Sequence, residues 1–554
     1  MNKYFNSLRK TVWVASAMLI LASCESDAWK DHYSTDENVP TKNLAETIES
    51  TEGAENFVQA LKTTYMYNGN KQLVKTYWDL LCESQFMTVW LPSEDSVTPE
   101  EWAEYTSDDM ENKDHKKIGT EFIMNHIARF SHCVGAATKG KITMLSEKAY
   151  TATPSDISYV KYQDNGMNIR CTNGILHKLD GKIEYRPNIY EYITTSPEYL
   201  EIFGKWFAQY TKSEIDEKRS VASGINDEGV MEYVDSVMIE RNALMDKYGF
   251  INAEDSNYAV ILPTPELWVE MYDSIKQFFE YVSVQPGRDS LQQYWAYNAM
   301  MTDMFFNMNK TTQKSANDSV VSTQFSRAER QTEKNPYHVY YKPNDEGGLF
   351  ASRIDSVVCS NGVIYIVDKW PFVDSLTYRR PIRLEVEDVR LSGFTMTPRN
   401  VNFLPDGTSI PMAKVMSISK DGATQWDADF TINNYLKGKY RVKVIFYPNL
   451  NDPRPYKLSP QVMYYDPNKT KPDVLFQSTI IGSRGRPQTS PVTLCGDGRD
   501  TTYVTDVVTF PSCDYKTDNS RVTVRISSSI SQSYVKDFSP TVWIDKIVLE
   551  PVIE

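Results

Sequence analysis

An internal repeat constrains the fold of this chain more than any other feature of its sequence. Residues 171–180 (CTNGILHKLD) are matched almost position by position by residues 359–368 (CSNGVIYIVD). In each copy, Asn-Gly predicts a tight turn, and the alternating apolar residues after it predict a half-buried strand. The chain is therefore expected to contain two copies of one folding unit.

A second pair of matching segments precedes each copy. Residues 88–93 (TVWLPS) and 259–264 (AVILPT) both read as a buried strand that ends at proline. The residues that follow, 98–101 (TPEE) and 264–266 (TPE), predict a helix start with a capping Thr and Pro in the first turn. The spacing between these elements is larger in the second copy, which predicts an insertion there.

The order of these elements resembles that of the fasciclin domain. Residues 122–127 (FIMNHI) and 305–308 (FFNM) stand where the family has its Tyr/His segment, and the second lacks the histidine. The resemblance covers residues 43–372. It implies two fasciclin-like α/β modules, each a wedge of β-sheet with helices, and fasciclin modules act in adhesion or as scaffolds.

The same resemblance implies the roles of two histidines. His126 and His177 match family positions that are buried and hydrogen-bonded, so both are expected in the core. The chain departs from the family at Trp90 and Ile261, and Tyr365 stands where the first copy has His177.

The pattern of apolar and polar residues changes at about residue 380. Short runs such as 522–526 (VTVRI) and 543–549 (WIDKIVL) alternate apolar with polar residues and are separated by turn residues. This pattern predicts an antiparallel all-β sandwich. Its ending, 543–547, resembles the last strand of jelly rolls of the carbohydrate-module type.

The first residues have the layout of a secretory signal, with cations followed by an apolar run. The run ends in Leu21-Ala22-Ser23-Cys24, which resembles the lipobox of bacterial lipoproteins, so Cys24 is the expected acylation site. The acidic residues Glu25 and Asp27 resemble the signal that sends lipoproteins of the Bacteroidetes to the cell surface. We therefore expect a lipid-anchored protein of the outer membrane, exposed at the surface.

The predicted fold class is multi-domain α+β. The segments are a signal peptide (1–23), a lipidated tether (24–42), fasciclin-like domain 1 (43–186), fasciclin-like domain 2 (187–374) and the C-terminal sandwich (380–554). Because the strands from residue 383 onward can close their own core, few contacts are expected between domain 2 and the sandwich. Residues 310–336 lack periodicity and are expected to form an exposed loop.

Charge and cysteine content exclude several classes of protein. The net charge of −14 makes nucleic acid an unsuitable partner. Of the seven cysteines, none is spaced C-x-x-C, which disfavours thioredoxin-type and zinc-binding functions. Cys495 and Cys513 are expected either to form a disulfide or to remain buried thiols.

No catalytic pattern emerges from the sequence. It contains no H-E-x-x-H, P-loop, G-x-S-x-G or Rossmann fingerprint. Asp108 and Asp109, like Asp497 and Asp500, are interpreted as solvated charge, with a calcium site as the alternative. We expect no enzyme activity, no catalytic residue, no metal and no cofactor.

Two functions remain open. One is a non-enzymatic adhesion or scaffold protein, or an accessory subunit beside outer-membrane nutrient importers of the SusC/SusD type. The other is direct capture of a glycan or peptide by the C-terminal sandwich, with Trp426, Tyr435 and Tyr465 as stacking platforms. The triplet Asp, then Ser or Thr, then an aliphatic residue or Thr resembles the O-glycosylation sequon of Bacteroidetes envelope proteins, and Ser290 and Ser319 are its favoured sites.

The anchoring hypothesis depends on one thiol. Replacing Cys24 by Ala is expected to release a soluble or unprocessed protein, because the acyl chains would have no point of attachment. Metabolic labelling with a fatty-acid probe checks this expectation, and a labelled Cys24→Ala protein would contradict it.

Overall fold

A computed structural model of the chain describes residues 40–67, 73–215, 221–225, 231–235, 238–309, 319–322, 339–403, 409–481, 487–495 and 502–553. The signal, Cys24 and most of the tether lie outside these residues. The chain divides into two compact units, Met1–Arg186 and Pro187–Glu554. None of the helices in the described ranges combines the length and hydrophobicity needed for a membrane span.

The first unit is a mixed α/β structure. Its helices are α1 Leu44–Glu49, α2 Glu55–Thr63, α3 Tyr77–Cys82, α4 Pro99–Tyr105 and α5 His115–Lys117, the last continuing as helical turns to His126. Its strands are β1 Tyr65–Tyr67, β2 Leu73–Thr76, β3 Met87–Leu91, β4 Ile127–Arg129, β5 Gly140–Thr143, β6 Ala149–Ala152, β7 Asp156–Ile157, β8 Val160–Lys161, β9 Ile169–Cys171 and β10 Gly174–Lys178.

The first part of the second unit repeats this arrangement. Its helices are α6 Ile189–Thr195, α7 Lys205–Gln209, α8 Met245–Tyr248, α9 Pro265–Lys276 and α10 Arg288–Met301, with a helical turn Leu200–Gly204 before α7. Its strands are β11 Thr211–Ile215, β12 Val221–Ile225, β13 Met231–Asp235, β14 Met238–Asn242, β15 Tyr258–Pro263, β16 Phe305–Asn307, β17 Ser319–Val320, β18 Tyr340–Tyr341, β19 Asp355–Cys359 and β20 Gly362–Val367.

The repeat seen in the sequence is a repeat of the fold. The sheet order is β4-β3-β10-β9 in the first unit and β16-β15-β20-β19 in the second, and the central pair is parallel in both. The predicted helix caps are confirmed, because Thr98 and Thr264 each accept a bond from the backbone at the third helical position. The hairpins β11/β14 and β12/β13 precede β15, so they lie outside the interval 264–359 in which the longer spacing predicts an insertion.

The asparagine of each Asn-Gly pair joins three chain segments. The Asn173 side chain accepts a bond from the Leu44 N–H (2.8 Å) and donates to the carbonyls of Leu81 (2.8 Å) and Glu83 (2.6 Å). Asn361 repeats this network with the Ile189 N–H and the carbonyls of Ile251 and Ala253. These bonds satisfy buried backbone groups that the strands and helices leave unpaired.

One part of the predicted alignment between the copies is wrong. The segment 305–308 was expected to match the histidine-containing helical segment of the first copy. By strand register, Phe305 instead occupies the position of Ile127, since each pairs with the same point of its central strand. The residue that matches His126 is therefore Met304, which lies in the core.

The last part of the second unit is an antiparallel β-sandwich, as predicted. One sheet contains β21 Ile382–Glu385, β22 Thr395–Phe403, β23 Ser409–Ser419, β25 Gly438–Tyr447, β31 Thr502–Val504, β32 Val508–Phe510 and β34 Val542–Pro551. The other contains β24 Gln425–Ile432, β26 Tyr456–Tyr464, β27 Asp473–Gln477, β30 Val492–Leu494 and β33 Val522–Ser529. A separate hairpin pairs β28 Thr479–Ile481 with β29 Pro487–Thr489.

The expected independence of the second repeat and the sandwich is wrong, because they share a hydrophobic core. Leu436 and Cys513, both from the sandwich, belong to the same buried cluster as the helices of the second repeat. Phe279 packs edge-on against Tyr515, with ring centroids 5.8 Å apart. Aromatic side chains from both parts are thus removed from water together.

Backbone hydrogen bonds cross the same boundary. The Lys437 N–H donates to the Phe278 carbonyl (2.9 Å), and the Cys513 N–H donates to the Glu280 carbonyl (2.8 Å). The Tyr281 hydroxyl donates to the Tyr515 carbonyl (2.8 Å). These bonds fix the relative position of the two parts within the second unit.

The segment 310–336 is not a loop throughout. Its described residues, 319–322, include β17, which pairs with β18, and the side chains of Val320 and Ser322 are buried. The short strand is held because Val320 packs in the core of the second repeat.

The two glycines of the repeat are expected to be essential for folding. A Cβ at Gly174 (φ +158°) would lie 1.9 Å from the Met87 carbonyl oxygen, and one at Gly362 (φ +153°) would lie 2.0 Å from that of Tyr258. Gly174→Val and Gly362→Val should each reduce the free energy of unfolding by about 3 kcal/mol or more, because the parallel neighbour would have to move.

Calorimetry of the full chain separates the two effects. Gly174→Val should affect only the first unit, whereas Gly362→Val should destabilise the second repeat and the sandwich together. Gly135→Val is the control, since a Cβ there meets nothing within 4 Å. Unchanged melting of either variant would contradict the close approach of the strands.

The shared core also predicts the result of truncation. A chain that ends after Arg379 should lose the order of residues 187–379, because each large apolar side chain that it uncovers costs about 1.5–3 kcal/mol. Limited proteolysis with mass spectrometry would then find protection only in residues 43–186. Protection of residues 187–379 in the shortened chain would instead indicate separable domains.

Candidate functional site

The candidate site is a pocket of about 280 Å³ at the boundary between the second repeat and the sandwich, named here the junction pocket. It is lined by Lys247, Phe279, Trp295, Asn298, Ala299, Thr302, Thr377, Tyr378, Arg380, Pro381, Ile382, Asn434 and Tyr515. Its volume is just below the ~300–1,000 Å³ typical of ligand pockets. The pocket exists because the two parts pack around Phe279 and Tyr515 and leave this space beside them.

One wall of the pocket is a face of α10. Trp295, Asn298, Ala299 and Thr302 follow each other at the spacing of successive helical turns, so their side chains lie on one side of the helix. The buried Asn298 donates from its amide to the Tyr294 carbonyl (2.6 Å), and its oxygen accepts from the Tyr248 hydroxyl (2.5 Å). The amide is therefore held in one orientation.

Lys247 enters the pocket from α8. Its ammonium donates to the Asn298 amide oxygen and lies 5.1 Å from the Trp295 ring centre and 5.6 Å from that of Tyr294. Burial, together with the positive charge of Lys516, lowers the pKa of Lys247 to about 8. Gly249 ends the helix with a positive φ, which an L side chain rarely adopts.

The positive charge of Lys247 is not matched by a neighbouring carboxylate. None of the ion pairs within the described ranges includes Lys247, and the adjacent Asp246 is paired with Arg241. Among the described residues that line the pocket, none is an aspartate or glutamate. The pocket is thus positively charged in a chain whose net charge is −14.

The sandwich supplies the opposite wall. Tyr515 lies edge-on to Trp295, with centroids 5.0 Å apart and an interplanar angle of 88°. The neighbouring turn is held by Asn434, whose side-chain oxygen accepts from the Lys516 N–H (2.9 Å). The Arg380 side chain donates to the Leu376 carbonyl, and burial lowers its pKa.

A second, larger depression of about 690 Å³ lies on the sandwich. It is lined by Glu387, Asp388, Arg390, Leu391, Phe394, Met396, Pro398, Asn400, Lys414 and Met416. Phe394 is the one aromatic ring among the described residues of its lining, where the junction pocket has four, and its charges are of both signs. It therefore offers fewer aromatic rings to a ligand than the junction pocket.

Two of the predicted stacking platforms are corrected by the structure. Trp426 and Tyr435 are 4% and 0% exposed and belong to the core of the sandwich, so neither can present a ring to a ligand. Trp426 donates its indole N–H to the Pro540 carbonyl (3.1 Å). Buried and exposed residues alternate strictly along β24, and Trp426 is one of the residues whose side chains face the core.

The remaining predicted residues are distributed over the surface. Tyr465 is 39% exposed and lies outside both pockets, so its role as a platform stays a prediction. Ser290 is exposed in the first turn of α10, and Ser319 is half-buried in β17. Glycosylation of both serines stays a prediction, as does acylation of Cys24.

The two core histidines are confirmed as buried, hydrogen-bonded residues. His126 Nδ1 bonds to the Phe122 carbonyl (2.8 Å), and its Nε2 accepts from the Ile183 N–H (2.9 Å). Burial lowers the pKa of His126 to about 4. His177 is also fully buried and bonds to the His132 carbonyl.

The cysteines and acidic residues add no catalytic group to this picture. Cys495 and Cys513 are both thiols, so the alternative of a disulfide between them is wrong. Cys513 faces Tyr281 in the shared core, and burial raises its pKa to about 12. Within the described part of the chain, no group of three His, Cys, Asp or Glu side chains is arranged to hold a metal ion. Asp497 and Asp500 lie outside it.

Comparison with known proteins finds no matching family model and no matching curated protein. Among solved structures, a family 35 carbohydrate-binding module from Clostridium thermocellum is similar, with 11% identity and a TM-score of 0.18, over 31% of this chain and 99% of the module. A Podospora anserina GH26-CBM35 β-(1,4)-mannanase is similar with 14% identity and a TM-score of 0.19, over 32% of this chain and 28% of the mannanase.

A family 11 carbohydrate-binding module from Clostridium thermocellum, in complex with a mixed-linked tetrasaccharide, has 11% identity and a TM-score of 0.17, over 31% of this chain and 97% of the module. At TM-scores below 0.2 these similarities carry no argument about function. The site is therefore interpreted from its own residues.

Sequence reasoning missed the junction pocket for a physical reason. Lys247, Trp295, Arg380 and Tyr515 come from four distant segments, and only the shared core brings them together. One local signal existed, since Trp295, Asn298 and Thr302 have the spacing of one helix face. That signal alone does not distinguish a pocket wall from an ordinary core face.

Proposed function

We propose that the protein is a non-catalytic glycan-binding protein and that the junction pocket is its binding site. The observation that carries this proposal is the pair of half-buried aromatic rings, Trp295 and Tyr515, in the lining of the pocket. Aromatic rings present an apolar surface against which a sugar ring can pack. This is the alternative function predicted from the sequence, moved from the sandwich alone to its boundary with the second repeat.

The lining of the pocket argues against glycoside hydrolysis. Hydrolysis of a glycosidic bond uses two facing carboxyl groups. No described residue of the junction pocket is an aspartate or glutamate. The proposal therefore includes binding without turnover.

The setting of this function is also a proposal. The lipobox at Cys24 and the acidic residues after it support an outer-membrane lipoprotein exposed at the cell surface. The assignment of the two repeats as fasciclin-like modules rests on the resemblance of the sequence, and their shared sheet order supports only that both copies have one fold. A place beside SusC/SusD-type importers is the second candidate and rests on the resemblance of the sequence, with protein partners rather than a glycan as its direct ligands.

Affinity electrophoresis of the full chain in gels that contain soluble polysaccharides tests the proposal. At least one polysaccharide should retard the protein, and Trp295→Ala should abolish the retardation because an aromatic wall of the pocket is removed. Tyr465→Ala is the matched control, since it removes an exposed ring outside the pocket. Loss of binding in the control alone would move the site to the sandwich surface, and release of reducing sugar would overturn the non-catalytic proposal.

A further inference from the structure

The charge of the junction pocket goes beyond what binding of a neutral sugar requires. Three cationic side chains lie close together at the pocket, namely Lys247, Arg380 and the adjacent Lys516, although the net charge of the chain is −14. The first two line the pocket, and Lys516 lies close enough to act on the charge of Lys247. Such a local excess of cations attracts anions.

The two cations that line the pocket differ in how they are held. Arg380 donates twice to the Leu376 carbonyl, and the negative charge of Asp303 stabilises its guanidinium. The positive charge of Arg380 is therefore partly compensated by groups of the protein itself. Lys247 has a neutral amide oxygen as its hydrogen-bond partner and another cation, Lys516, as its charged neighbour.

An ammonium group in this position is unfavourable without an anion. Its removal from water is only partly offset by the rings of Tyr248, Tyr294 and Trp295, which lie 5.1–5.8 Å away, near the ~6 Å limit of effective cation–π contact. The lowered pKa of Lys247 agrees with this incomplete compensation. A negatively charged ligand group would supply the missing partner.

Resting on the proposed function, we infer that the junction pocket selects glycans that carry a negatively charged group, a carboxylate or a sulfate. Lys247 forms the ion pair with that group. Trp295 and Tyr515 contact the sugar ring, and Asn298 fixes the position of the ammonium.

Calorimetric titration of the purified full chain tests the inference with matched pairs of probes. The pairs are oligogalacturonate, oligoglucuronate and oligomannuronate with their carboxyl-reduced forms, and a sulfated oligosaccharide with its desulfated form. At least one charged member should bind about tenfold more tightly than its neutral counterpart, the difference expected from one charge-assisted hydrogen bond. The pair that responds identifies the group as carboxylate or sulfate.

Lys247→Met is the decisive variant. Methionine keeps an unbranched apolar stem against the surrounding rings, so the melting temperature should not fall, while the affinity for the charged probe should drop by about tenfold or more. Lys469→Gln is the control, because it removes the same charge from an exposed position on the sandwich. Affinity of the native chain should also fall with added salt.

The pH dependence gives a second readout. Lys247 loses its charge as the pH rises through about 8, so affinity for the charged probe should fall between pH 7 and pH 9. The groups that face Lys247 are Tyr248, Tyr294, Trp295 and Asn298 from the repeat and Lys516 from the sandwich, and the cation Arg380 lines the same pocket. Lys247→Met should bind with no such dependence.

The outcomes separate this inference from the proposed function. Equal affinity for the charged and neutral members of every pair, with loss of binding in Trp295→Ala, would overturn the inference and leave the proposed function standing. Absence of binding to every probe and to the polysaccharides would overturn both. Tighter binding of a charged member that Lys247→Met leaves unchanged would overturn the role of Lys247.

Discussion

The shared core between the second repeat and the sandwich is the constraint on which the proposed site depends. The side chains that pack across this boundary are Phe279, Tyr281 and Tyr515. The backbone N–H groups of Lys437 and Cys513 donate hydrogen bonds across it. Because neither part can bury these groups alone, the second unit is expected to fold as one body. The junction pocket is a consequence of this packing, since its walls come from both parts.

The second repeat forms one side of that boundary, and it has the same core arrangement as the first repeat. In both copies a parallel strand pair brings a glycine against a neighbouring carbonyl, and the preceding asparagine bonds three backbone groups. In the second copy the helix before the edge strand β16 is α10, which carries the half-buried Trp295 and the buried Asn298. It stands where the first copy has the helical segment His115–His126 before β4.

The sequence predicted the local structure well and the site poorly. The Asn-Gly hairpins, the Thr-Pro helix starts and the alternating strands of the sandwich are local patterns, and the structure has them. The alternation of apolar and polar residues along β24 is also a local pattern, and it assigns Trp426 to the core. Domain independence and the junction pocket depended on contacts such as that of Phe279 with Tyr515, and no local pattern reports contacts between residues so far apart in the chain.

The central claim is that one ligand is held by both parts of the second unit. Hydrogen exchange of the full chain, measured with and without a saturating charged oligosaccharide, tests this claim most directly. Binding should slow exchange in two places at once, the end of α10 with the turn after it and the segment around Tyr515. Slower exchange confined to the sandwich depression around Met396 and Met416, or no change in either place, would contradict it.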